Sequence, residues 1–122
     1  MPQILVVDDS AGIRHQVSSF LIENGFSVIM ADDGTKGLEA MKANPSVQLI
    51  IADVNMPDMD GITMVEKIRS ELGNQTVNIL MLTTENQPLL KQRAKTAGVK
   101  GWLVKPFNGP GTLAIVQKFV MG

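Results

Sequence analysis

Cysteine is absent from the chain, which excludes a disulfide scaffold, a thiolate metal site and a cysteine nucleophile. Histidine occurs once, as His15, within a helical pattern, so a Ser-His-Asp hydrolase is disfavoured and His15 reads as a helix residue. No apolar run approaches the roughly 18 residues that a membrane span requires. The chain begins almost directly on Gln3-Ile4-Leu5-Val6-Val7, with no basic stretch ahead and no cleavage-like site behind. A soluble, cytoplasmic protein is the expectation. No Walker-type loop is present, and Asp8-Asp9-Ser10-Ala11-Gly12 stands where a dinucleotide-binding Gly-x-Gly-x-x-Gly would follow the first apolar run. A nucleotide enzyme is disfavoured. Eleven basic against twelve acidic residues leave a net charge of −1, so no overall field selects nucleic acid or an anionic membrane.

What is present fits one ordinary globular domain over residues 1–122, with 44% hydrophobic and 19% charged residues. Charge is unevenly spread. Residues 86–105 hold Lys91, Arg93, Lys95, Lys100 and Lys105 and no acid, whereas the remainder has six basic and twelve acidic residues. Such a run is commonly a solvated helix face.

Short apolar runs alternate with segments of helical period. Ile4 to Val7 is continuous and rich in β-branched residues, suiting a strand buried on both faces. From Ala11 to Glu23, Ile13, Val17, Phe20 and Leu21 form a helix stripe that Asn24-Gly25 ends. Ser27–Ala31 reads as a second strand, and Asp33-Gly34 as the turn into a helix carrying Leu38, Met41 and Lys42. Asn44-Pro45 stops that helix. Further strands are expected over Val47–Ala52, Val77–Leu82 and Gly101–Val104, with helices over Gly61–Leu72 and Gln87–Ala97. A last helix is expected from about Thr112 to Met121, after the breaker Asn108-Gly109-Pro110-Gly111. Five βα units imply a parallel sheet covered by helices on both faces.

Ligands of open α/β sheets bind beyond the carboxyl ends of the strands. There the sequence places Asp8-Asp9, Asp53, Thr83-Thr84-Glu85 and Lys105-Pro106. If strands one, three, four and five are neighbours, three carboxylates, a hydroxyl and an ammonium converge. Each has a plainer reading: Asp8 and Asp9 as turn and N-cap residues, Asp53 as part of the Asn55-Met56-Pro57 turn, Thr83 as a cap, Lys105 as a surface charge. Recurrence at four strand ends favours a shared site. Carboxylates so gathered raise one another's pKa unless a cation joins them. The all-oxygen donor set favours Mg²⁺ over zinc or copper. Three aspartates, Lys105 and Mg²⁺ balance to neutrality, leaving a pocket suited to a phosphoryl group. Aspartate is a known nucleophile that forms acyl phosphates.

Ile4-Leu5-Val6-Val7-Asp8-Asp9-Ser10, then Asp53-Val54-Asn55-Met56-Pro57-Asp58-Met59-Asp60-Gly61, then Thr83, then Lys105-Pro106-Phe107 occur in that order. Over its whole length the chain resembles the receiver domain of two-component response regulators, and among them the stand-alone chemotaxis type. The resemblance implies a flavodoxin-like sheet of order 2-1-3-4-5. It implies Asp53 as phosphoacceptor, charged from the phosphohistidine of a histidine kinase. Asp9, Asp53 and the Asn55 backbone carbonyl would hold Mg²⁺, with Asp8 acting mainly through water. Lys105 and Thr83 would contact phosphoryl oxygens, and Lys105-Pro106 would be cis. Asn55 and Glu85 fall where the acyl-phosphate lifetime is tuned.

Trp102, the only tryptophan, falls at the family's aromatic switch position, where a ring turns inward as Thr83 moves toward the phosphoryl group; its plainer reading is a half-buried strand residue. Lys91, Arg93, Lys95 and Lys100 would lie on the partner-binding face. Met56, Met59 and Met64 read as gap-filling core. The function implied is a phosphorylation switch rather than an enzyme, acting as a monomer on a protein target such as the flagellar motor switch. A phosphatase is a further implied partner; nucleic acid and membrane are not. A phosphorelay intermediate or phosphate sink uses the same chemistry. A pseudo-receiver that binds without phosphorylation would lack an acid, hydroxyl or lysine, and none is missing.

Overall fold

The computed structural model describes residues 3–120. Five strands alternate with five helices: β1 (Gln3–Val7), α1 (Ala11–Glu23), β2 (Ser27–Ala31), α2 (Gly34–Ala43), β3 (Leu49–Ala52), α3 (Gly61–Ser70), β4 (Asn78–Thr83), α4 (Pro88–Thr96), β5 (Gly101–Val104) and α5 (Gly109–Val120). All strand pairs are parallel, in the order β2-β1-β3-β4-β5. This is the expected flavodoxin-like fold.

The apolar runs of β1 and β3 reach both faces of the sheet because strand side chains alternate. Leu5, Val7, Ile50, Ala52, Ile79 and Met81 pack with Met41 of α2, Met64, Val65 and Ile68 of α3, and Ala94 of α4. Ile4, Val6, Leu49, Ile51, Leu80 and Leu82 pack with Val17 and Leu21 of α1 and Val116 of α5. Each strand thus contributes to two cores. Met64 is fully buried, while Met56 and Met59 are partly buried against the first core, as gap-filling residues should be.

Helix boundaries follow local chemistry. Ser10 caps α1, accepting from the Ile13 amide at 3.3 Å, and Asn24 and Gly25 (φ 91°) end it. Asp33 and Asp60 cap α2 and α3 through Lys36 and Thr63 amides, and Pro88 opens α4.

Several boundaries differ from expectation. Helix α5 begins at Gly109, not Thr112: Asn108 Oδ1 accepts from the Gly111 amide at 3.1 Å, and Pro110 lies in the first turn, where its missing N–H costs nothing. The expected end at Met121 lies outside the described residues. Strand β3 starts at Leu49, after Val47, whose amide closes a turn onto the Asn44 carbonyl. Strand β4 is shifted by one residue, excluding Val77 and including Thr83, which pairs with Val104. Helix α3 stops at Ser70 rather than Leu72, and α4 spans Pro88–Thr96 with Gln87 and Ala97 as its caps. Among the described residues no helix is long and apolar enough to cross a membrane.

Candidate functional site

The chain runs outward from β1 to β2 and returns to β3 on the other side, so the sheet order reverses between β1 and β3. A crevice forms at such a point, beyond the carboxyl ends of the strands. Asp8 and Asp9 follow β1, and Asp53 follows β3.

The ladder continues one step past the strands. The Asp8 amide donates to the Ala31 carbonyl at 3.2 Å, the Asp53 amide to Val7 at 3.0 Å, and the Lys105 amide to Thr83 at 3.0 Å. Sheet register therefore aligns Asp8, Asp53, Thr83 and Lys105 along one edge. Lys105 Nζ lies 3.0 Å from Asp8 Oδ2 and 2.8 Å from Asp53 Oδ2. Asp8, Asp53 and Thr83 are buried, whereas Asp9 is exposed at the rim. The Lys105–Pro106 peptide is cis, as the resemblance implied.

Carboxylate oxygens of Asp8, Asp9 and Asp53 lie within 4.8 Å of one another. One ammonium leaves this group with a surplus of negative charge. Burial raises the Asp8 pKa, and the Asp53 charge adds to that; the Ser10 amide and Lys105 oppose the rise without cancelling it. Burial would depress Lys105, but hydrogen bonds and charge from Asp53 and Asp8 outweigh it, so its pKa is raised. Hard oxygen donors, no nitrogen or sulfur, and excess negative charge suit a hard divalent cation.

Asp8 serves the turn, as its plainer reading expected, and also faces the cluster: Oδ1 accepts from the Ser10 amide at 2.9 Å while Oδ2 meets Lys105. Asp9 is not a helix cap, since Ser10 fills that position. Asp53 Oδ1 accepts from the Asn55 amide at 3.3 Å. The β3–α3 loop that carries Asp53 is tight. Gly61 donates to the Val54 carbonyl at 2.9 Å, and a Cβ at Gly61 would collide with the Asp53 carbonyl. Asp58 turns the loop at φ 67°, a conformation that aspartate tolerates.

Glu85 was expected only as a rate-tuning residue, yet it joins three site residues. Its amide donates to Thr83 Oγ1 at 3.1 Å, its carboxylate accepts from Asn55 Nδ2 at 3.0 Å, and its carbonyl accepts from Trp102 Nε1 at 2.9 Å. Trp102 is half-buried, with Lys91 Nζ 5.9 Å from its ring centroid. The plainer expectation, a half-buried strand residue, describes this geometry. Two of Glu85's bonds run through its main chain and carry no residue-type signal in the sequence.

The basic stretch falls on α4 and the loop just before β5, with Lys91, Lys95 and Lys100 exposed. Arg93 is engaged inside the molecule, with Nη2 2.8 Å from Glu66 and 2.9 Å from Thr63 on α3. His15 is exposed on α1, away from any catalytic partnership.

Comparison with known proteins agrees with this geometry. The family profile "Response regulator receiver domain" matches residues 4–117. Chemotaxis protein CheY1 of Helicobacter pylori is 36% identical over 121 residues, covering 98% of this chain and 97% of the relative. CheY of Bacillus subtilis is 35% identical over 117 residues, covering 95% of each. The solved structure of Vibrio cholerae CheY4 superimposes with a TM-score of 0.90 at 42% identity, covering 98% of this chain and 99% of that one. A Borrelia burgdorferi CheY, solved in complex with CheX, BeF3 and Mg²⁺, has a TM-score of 0.88 at 27% identity, covering 96% and 87%. The chain belongs to the response regulator receiver domain family, as a CheY-like phosphoacceptor switch rather than an enzyme.

Proposed function

We propose that residues 1–122 form one receiver domain whose Asp53 accepts a phosphoryl group from the phosphohistidine of a histidine kinase. The observation that carries this reading is Lys105 Nζ bridging Asp8 and Asp53 within a cluster of three carboxylates. An Asp53 carboxylate oxygen attacks phosphorus, the phosphorus–nitrogen bond breaks, and the departing imidazole nitrogen keeps the electron pair and takes a proton. Hydrolysis returns the carboxylate and inorganic phosphate. Asp9, Asp53 and the Asn55 carbonyl would hold Mg²⁺, with Asp8 acting mainly through water; when bound, the ion neutralises charge on the phosphoryl oxygens. Lys105 stabilises another of those oxygens, and the Thr83 hydroxyl donates to a third.

The bond between Thr83 Oγ1 and the Glu85 amide ties that hydroxyl to the loop after β4. Movement of Thr83 toward the phosphoryl group therefore shifts Glu85, and through it Trp102. The switch is a two-state element biased by a few hydrogen bonds. Asn55 and Glu85, joined side chain to side chain at the mouth, set the lifetime of the acyl phosphate. The output is altered affinity for a protein target in the cytoplasm, the flagellar motor switch, through the face bearing Lys91, Lys95, Lys100 and Trp102. Similarity to chemotaxis regulators supports this target. The Borrelia complex with CheX supports a further protein partner, and a phosphatase that shortens the acyl-phosphate lifetime is the partner this chemistry calls for. The working unit is a monomer.

Intact mass after treatment with a small phosphodonor tests the reading. One phosphoryl adduct is expected with Mg²⁺, little without it, and none in Asp53→Asn. No adduct in the wild type, or one surviving in Asp53→Asn, overturns it. A complex with the motor switch protein should strengthen on phosphorylation; efficient return of phosphate to a phosphotransfer protein, without such a complex, would instead mark a phosphate sink.

A further inference from the structure

Asp9 is the exposed member of the acidic cluster, and among the described residues its carboxylate accepts no hydrogen bond and forms no ion pair. Asp8 and Asp53 are each fixed by Lys105 and by a neighbouring amide. The direction of Asp9 therefore depends on its backbone. That backbone is held on both sides by side chains: the Asp9–Ser10 peptide through the Ser10 amide, which donates to Asp8 Oδ1 at 2.9 Å, and the Asp8–Asp9 peptide through Arg14 Nη1, which donates to the Asp8 carbonyl at 2.7 Å.

The Asp8 carbonyl is the first beyond β1, where strand pairing ends. Without Arg14 it would turn to water. A peptide unit is planar, so holding the carbonyl also fixes the Asp9 amide and Cα. Arg14 lies one turn beyond the Ser10 cap, and its own amide bonds to the Ser10 carbonyl at 2.9 Å. Helix α1 thus reaches back over the loop that its cap begins. The guanidinium makes no other hydrogen bond among the described residues. Its field extends to Asp32, whose carboxyl is held low by the Lys36 hydrogen bond first and by Arg14 in addition.

We infer that Arg14 is a positioning residue for cation binding, fixing the Asp8–Asp9 peptide so that the otherwise unsupported Asp9 carboxylate stays in the acidic cluster. The inference rests on the proposed reading of that cluster as a Mg²⁺ site. Lysine retains the charge but not the planar fork, so Arg14→Lys separates geometry from electrostatics. Arg14→Met removes the charge and keeps the bulk.

The test is Mg²⁺ titration of the unphosphorylated protein by calorimetry, with circular dichroism to verify folding. Loss of an outer partner of a metal ligand weakens binding roughly 10- to 100-fold, and both variants should lose about tenfold in affinity. At saturating Mg²⁺ the phosphoryl adduct should recover. Wild-type affinity in Arg14→Lys, or tighter binding in Arg14→Met from the loss of a nearby cation, overturns the role. The wild type offers a check that depends on no variant: hindered rotation should give resolved Arg14 guanidinium proton signals by NMR, and a single averaged signal would equally overturn it. Absence of Mg²⁺ binding in the wild type would instead reject the metal-site reading itself.

Discussion

Trp102 Nε1 donates to the Glu85 carbonyl at 2.9 Å, while the Glu85 amide donates to Thr83 Oγ1 at 3.1 Å. One residue of the β4–α4 loop thus joins the indole to the hydroxyl beside the acidic cluster. Adding a phosphoryl mimic together with Mg²⁺ should change Trp102 emission, because in the proposed switch a shift of Thr83 reaches the ring through Glu85. Neither reagent alone should do so. Trp102→Phe keeps an aromatic ring but removes the N–H; it should retain Asp53 phosphorylation, lose about 1 kcal/mol of stability, and narrow the affinity gain for the protein target. An emission spectrum indifferent to the combined reagents would remove Trp102 from the switch.

Among the described residues Lys105 is the one cation between Asp8 and Asp53. In Lys105→Met the two buried carboxylates face each other unpaired. Breaking a buried pair by removing one partner costs roughly 3–5 kcal/mol in well-buried cases; here Asp8 can take up a proton, so about 1–3 kcal/mol is expected in metal-free urea denaturation. Phosphoryl uptake should slow by at least about tenfold, the rate worth of 1.4 kcal/mol in the transition state. Uptake at the wild-type rate would show that the ammonium does not touch the transferred group.

The raised pKa of Asp8 gives a signed pH dependence. A carboxyl that binds its proton more readily when folded makes stability fall as pH rises from the ordinary value of 3.8 through the raised one. At neutral pH its charge therefore opposes folding. In metal-free buffer Asp8→Asn should be more stable than wild type at pH 7, with the advantage shrinking toward pH 4 and Mg²⁺ binding weakened. Urea midpoints of both proteins across that range supply the measurement. An advantage that grows on acidification contradicts the assignment. Lys105 moves oppositely: raised above its ordinary 10.5, it contributes stability below that value which is lost only as pH climbs through its folded pKa.

Gly61 lies where any Cβ would meet the Asp53 carbonyl. Gly61→Ala must push the β3–α3 loop aside, at a cost of about 1–3 kcal/mol. The displaced segment carries Asp53, so under the proposed function phosphoryl uptake should fall along with stability. Adding Ala at Gly12, where the nearest atom is Ser10 Oγ at 3.9 Å, should leave both nearly unchanged. Equal behaviour of the two alanine variants would show that Gly61 does not set the position of Asp53.

Strands β1 and β3 were legible because burial on both faces demands uninterrupted apolar runs, which no surface segment needs. Strand β4 was offset because apolarity marks Val77, whereas its carbonyl bonds to Arg69 Nη1 at 2.9 Å, outside the sheet. Thr83 looked like a loop residue by polarity, though it is fully buried and paired with Val104. The start of α5 was masked by Gly109-Pro110-Gly111, residues that break a helix interior but are tolerated in a first turn. Within the site, the charged residues stood out by type and by position at strand ends. The links of Glu85 to Thr83 and Trp102 and of Arg14 to Asp8 did not, because each uses a main-chain group that every residue possesses. Arg93 gave no sign of its pairing with Glu66, since twenty-odd residues and a strand separate the two.

The ladder's extra step beyond the strand ends has a dynamic consequence. The amides of Asp53 and Lys105 are held by Val7 and Thr83, both inside the most deeply buried strands. Their hydrogens should exchange with solvent at the slow rate of the central sheet, whereas the Asp58 amide, which donates to no acceptor among the described residues, should exchange faster. The charged centre thus inherits the durability of the β framework while its surroundings stay pliable, so partners can remodel the rim without dismantling the chemistry beneath it.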